Sequence, residues 1–100
     1  MDPNACYWRI LDAIHSGDFD EALEAIDDLR DWLSNAGFLP DWNRVPTGWK
    51  ISTTSTPSFH GRDLTLWAYE TPSGKRKSAV GPLLCLERLA MSLQREATPA

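Results

Sequence analysis

One hundred residues make a single domain with a small core, since a chain of this length buries only about 60 to 70% of the surface its unfolded form exposes. Hydrophobic residues at 42% and charged residues at 24% fit a globular protein and exclude a disordered one. The net charge of −4 is unevenly spread: residues 1–43 carry ten acidic residues against Arg9 and Arg30, and residues 44–100 carry eight basic residues against Asp63, Glu70, Glu87 and Glu96.

Asp2 is placed as an N-cap with Pro3 at the first helical position. Tyr7, Ile10, Leu11 and Ile14 recur at helical spacing, and Gly17 supplies a left-handed stop. Asp18 then caps a second helix, with Glu21 three residues on in the pattern of a capping box. The apolar stripe of this helix runs through Phe19, Ala22, Leu23, Ile26, Leu29, Trp32 and Leu33. Gly37 is expected to end it, Phe38 to fold back as the closing hydrophobic contact, and Pro40 to prevent continuation. A helical hairpin over 3–36 follows.

From Asp41 the pattern weakens. Trp49, Ile51 and Thr53 alternate with Lys50, Ser52 and Thr54, which suits a short strand over 49–54, while Ser52 to His60, rich in Ser and Thr, reads as a mobile loop. Leu64 to Glu70 is a better strand, with Leu64, Leu66 and Ala68 on one face and Thr65, Trp67 and Tyr69 on the other. Thr71-Pro72-Ser73-Gly74 is a turn, after which Lys75 to Val80 returns antiparallel. Gly81-Pro82 starts a last helix over 82–94 that buries Leu83, Leu86, Leu89, Ala90 and Leu93. The tail over 96–100 is expected to fray. The expected fold class is α+β, in one domain over 1–95 with loop and strands over 41–80. The order is α-α-β-β-β-α, and the β part is either a hairpin or a three-stranded antiparallel sheet.

Gly17-Asp18-Phe19-Asp20-Glu21-Ala22-Leu23 resembles the junction inside a tetratricopeptide repeat. No second copy follows, and such repeats need stacked neighbours, so the resemblance implies a local helical hairpin only. Asp2-Pro3-Asn4-Ala5, Trp32-Leu33-Ser34 and Gly37-Phe38-Leu39-Pro40 look like the corresponding stretches of short uncharacterised reading frames of bacteria and their phages. That resemblance spans about the first forty residues and implies a bacterial or phage setting, with no activity attached.

Chemistry is sparse. Cys6 and Cys85 stand at opposite ends in apolar helical patterns and read as buried, reduced thiols. With His15 and His60 they show no ligand spacing for a metal, and no cofactor is expected. The serines lack a nucleophile elbow, and the carboxylates cluster on a helix face where their pKa values stay ordinary, so the expectation is not an enzyme. No apolar run approaches the roughly 20 residues of a membrane span. No signal peptide is visible at the start, and the expected location is cytoplasmic.

Three features remain for surface function. Like-charge pairs at i,i+4 on the second helix, such as Asp20/Glu24 and Glu24/Asp28, form either a solvated face or a docking surface for a basic partner. Lys75, Arg76 and Lys77 either hold phosphate groups or guard an exposed strand edge. Five tryptophans are many for so small a core. Trp42 and Trp49 either cap the core or join Phe38, Trp67 and Tyr69 in an adhesive patch, with Lys77 across from Tyr69 if the hairpin pairs as drawn. The expected function is therefore a non-catalytic protein–protein interaction module, binding an unknown protein or itself. Its binding residues would come from Phe38, Trp42, Trp49, Trp67, Tyr69, Lys75, Arg76 and Lys77. The alternative is a nucleic-acid binder that uses the basic hairpin at 75–77 with nearby aromatic rings.

Overall fold

Asp2 caps the first helix as expected: its carboxylate accepts the Asn4 N–H at 3.0 Å, and Pro3 occupies the first turn, where a missing N–H costs nothing. In the computed structural model, which describes residues 2–57, 61 and 63–97, this helix α1 runs over Pro3–Ser16. It is followed by α2 (Phe19–Ser34), β1 (Lys50–Pro57), β2 (Asp63–Glu70), β3 (Arg76–Ala79) and α3 (Pro82–Ala97). The fold is α+β in the order α-α-β-β-β-α, with a three-stranded antiparallel sheet ordered β1-β2-β3.

The two helices of the hairpin share a junction with no spare residue. Gly17 takes the left-handed conformation at φ 75° and donates to the Ile14 carbonyl, while the Asp18 N–H donates to the Ala13 carbonyl at 2.9 Å. These are the two bonds of a Schellman motif. Asp18 also caps α2, its carboxylate accepting the Glu21 N–H at 3.1 Å. The reciprocal half of the capping box is absent, because the Asp18 N–H is already committed to α1 and the Glu21 carboxylate turns to Arg9.

Strand β1 extends to Pro57, past the expected 49–54, so most of the Ser/Thr-rich segment read as a loop is ladder; residues 58–60 lie outside the described residues. Its register with β2 runs from Lys50↔Glu70 to Pro57↔Asp63. Thr53 and Thr54 carry strand propensity without an apolar stripe, because the side chains from Ser52 to Ser55 are exposed on both faces of the sheet. The turn forms as read: the Gly74 N–H donates to the Thr71 carbonyl at 2.9 Å, and Gly74 takes φ 95°. Helix α3 continues to Ala97, so residues 96 and 97 are helical where fraying was expected.

α1 packs on α2, and α3 packs against α2, β2 and β3. The core joins Tyr7, Ile10, Leu11 and Ile14 of α1, Ala22, Ala25, Ile26 and Leu29 of α2, and Cys85, Leu86, Leu89, Ala90 and Leu93 of α3. The sheet adds Tyr69 and Ala79. It is thus the Trp67–Tyr69 face that meets the helices, while the Leu64–Leu66–Ala68 face lies outside that core, with Leu64 exposed, Leu66 half-buried and Ala68 buried.

Candidate interaction surface

The loop from Asn35 to Trp49 carries most of the predicted aromatic patch. It begins with a second Schellman motif: the Ala36 N–H donates to the Leu33 carbonyl at 3.2 Å and the Gly37 N–H to the Trp32 carbonyl at 3.0 Å. The left-handed position is Ala36, at φ 60°, and not Gly37. Gly37 serves a different need, since a Cβ there would collide with the Trp32 indole. The same indole donates its Nε1–H to the Phe38 carbonyl at 3.0 Å. Phe38 therefore does not fold back as expected. Its backbone is pinned to α2, and its ring is 82% exposed beside Leu39 at 70%.

The next stretch turns inward. Pro40 is buried, and the Asp41 N–H donates to Asn4 Oδ1 at 2.7 Å. The Tyr7 hydroxyl donates to the Trp42 carbonyl at 2.7 Å, and the Trp8 indole donates to the Arg44 carbonyl at 3.0 Å. The Trp42 ring meets Tyr7 edge-on at 5.1 Å, and Trp49 meets Tyr69 edge-on at 6.5 Å. Trp49 is only 7% exposed and Tyr69 is fully buried, so both leave the predicted adhesive patch and belong to the core. Trp42 and Trp67 are half-buried against that core.

Tyr7 and Tyr69 are hydrogen-bonded through their hydroxyls at 2.7 Å. Tyr7 has one proton and gives it to Trp42, so Tyr69 must donate to Tyr7. Burial pushes the Tyr7 phenol up to about 12. Burial, and then the donated hydrogen bond, raise Tyr69 as well. Neither tyrosine is poised for acid–base chemistry near neutral pH.

The basic cluster is divided by the strand that carries it. Lys77 pairs with Tyr69 as drawn, whereas Arg76 pairs with Glu70 on the opposite face, near Lys50 and Ser52. Lys75, half-buried, sits in the turn with its N–H on Thr71 Oγ1 at 3.1 Å. Arg76 and Lys77 therefore point to different sides of the sheet and do not form one phosphate grip. The acidic helix has a structural account of which the sequence spacing conveys only the Arg30–Asp27 pair at i,i+3; the pairs made across helices were missed. Arg9 of α1 reaches Glu21, Glu24 at 3.5 Å and Asp28 at 3.0 Å. Arg30 reaches Asp27 at 3.5 Å, and Glu87 on α3. Its hydrogen bond to Arg9 holds the Glu21 carboxyl below the usual range.

Both cysteines are free and buried, donating to the carbonyls of Ala25 and Lys77, and burial raises both thiols, which keeps them protonated. His15 is exposed in the last turn of α1, and His60 lies outside the described residues. Among the described residues no group of three His, Cys, Asp or Glu could hold a metal, and no helix is long and apolar enough to cross a membrane. No family model, curated protein or solved structure matches this chain.

Proposed function

We propose that the chain is a non-catalytic module that binds another protein through Phe38 and Leu39. One observation carries this reading: two adjacent large apolar side chains stand in solvent on a loop whose backbone is held by two Schellman bonds and an indole donor. A held backbone reduces the conformational entropy lost when the ring it presents is bound, and buried aromatic anchors dominate interface energies. Half-buried Trp32 lies behind the pair. The setting we propose with it, the bacterial or phage cytosol, rests on the resemblance of the first forty residues alone.

Affinity capture from bacterial lysate, with and without nuclease, compares the wild type with the double substitution Phe38→Ser/Leu39→Ser. The expected result is a stoichiometric protein that survives nuclease and is lost with the double substitution. A partner retained by the double substitution moves the surface elsewhere. Captured material that disappears with nuclease replaces the reading with nucleic-acid binding.

A further inference from the structure

The outer edge of β3 and the neighbouring face of α3 enclose a groove of about 250 Å³, lined by Lys77, Ser78, Arg88, Met91 and Ser92. Arg88 donates Nη1–H to the Ser78 carbonyl at 2.9 Å, which fixes the guanidinium against the strand edge. This leaves its Nε and Nη2 edge for a further acceptor, and that edge suits a carboxylate gripped by two parallel bonds. Lys77 is exposed on the other wall. Among the described residues neither cation has a carboxylate partner, whereas Arg9, Arg30 and Lys50 all do. Met91, 45% exposed, adds a flexible apolar wall.

We propose that this groove binds an extended acidic peptide of a partner protein, with a carboxylate seated between Arg88 and Lys77. The strand edge favours a peptide over a polynucleotide. The Ser78 carbonyl faces the groove, and in an extended strand the N–H of the same residue points the same way, so the edge offers a main-chain donor to a peptide carbonyl. A long polyanion would also meet the acidic half of a chain whose net charge is −4, whereas a short segment with one or two carboxylates would not. The inference rests on the reading of the chain as an interaction module, but it shares no residue with the Phe38–Leu39 surface.

The test is selection of a random short-peptide display library on the immobilised protein, followed by titration of the recovered peptides at physiological ionic strength. The expected result is enrichment of Asp and Glu beside an apolar residue. Binding should weaken about tenfold in Arg88→Gln and severalfold in Lys77→Gln. Lys77 is exposed, so its substitution keeps the test valid if Arg88→Gln disturbs the strand edge. Phe38→Ser/Leu39→Ser should bind the same peptides unchanged, which separates failure of this site from failure of the other. Recovered peptides without acidic enrichment, or unchanged binding in both groove variants, overturn the proposal. So does a single-stranded oligonucleotide that outcompetes the peptides. Concentration-dependent self-association abolished by Arg88→Gln would overturn it too, by giving the groove to a second copy.

Discussion

The two halves of the loop between α2 and β1 both carry large apolar side chains, yet they treat them oppositely. Around Phe38 and Leu39 the side chains face water; around Trp42 and Trp49 they lie on or in the core. Each half has a carbonyl held by an aromatic donor. In the first half the donor is Trp32 of α2, whose own ring fills the space beneath Gly37 and leaves none for Phe38. In the second the donors are Tyr7 and Trp8 of α1, and the pinned segment lays its rings on that helix and the sheet. Burial of an aromatic is thus decided by which element claims the neighbouring backbone, and hydrophobicity alone does not decide it.

The difference can be broken most severely at Trp49. Trp49→Ala should cost about 3 to 5 kcal/mol in urea unfolding, through lost transfer energy and a cavity beside Tyr69. A loss below about 1 kcal/mol would place the ring outside the core.

Tyr7→Phe comes next. It strands the Trp42 carbonyl and the Tyr69 hydroxyl, at about 1 to 3 kcal/mol. It also alters the alkaline limb. Both phenols sit above their ordinary value near 10 when folded, so the folded state keeps protons that the unfolded chain releases. Stability is intact below that value and declines as pH rises through it toward the folded value of about 12 for Tyr7. Each tyrosine contributes up to about 1.4 kcal/mol per pH unit to the decline. Unfolding free energies measured at stepped alkaline pH should fall less steeply with pH in Tyr7→Phe than in the wild type.

Around Phe38 the effects are smaller and of both signs. Gly37→Ala should destabilise by about 1 to 3 kcal/mol, since its methyl meets the Trp32 indole. Ala36→Gly should stabilise by about 0.5 to 1 kcal/mol, because the left-handed φ disfavours a Cβ. If thermal melts show the two adjacent substitutions shifting in the same direction, the division of labour between a left-handed residue and a close approach is wrong. Smallest of all, Phe38→Ser should change stability by less than about 0.5 kcal/mol while removing the proposed partner contact.

These positions also show what the sequence could and could not convey. Both helices of the hairpin were readable because caps and a 3.6-residue stripe act locally, and the turn at Thr71–Gly74 was readable for the same reason. The end of α2 was misread by one residue. A glycine there looks like a left-handed cap, and its role as clearance for Trp32 is a side-chain contact that no local pattern encodes. The inward face of β2 was also illegible. Leu64 and Leu66 alternate with Trp67 and Tyr69, and the choice between faces was made by the Tyr7 hydroxyl and α3, both distant in sequence. The groove beside β3 left no trace, because Arg88 and Met91 look like ordinary helix-surface residues until the strand edge is set next to them.

The hydroxyl contact between Tyr7 and Tyr69 also bears on the order in which the chain can mature. During synthesis α1 and α2 emerge first, and their junction at Gly17–Asp18 needs nothing further downstream. The apolar side of that hairpin, however, is covered by Tyr69 and α3, which arrive only after most of the chain has been made. Until then the nascent hairpin carries a naked apolar flank next to a strongly acidic one. Arg9 and Arg30 belong to that hairpin and are outnumbered by its carboxylates, so the surplus negative charge repels neighbouring copies during the interval and works against clumping of the young chain.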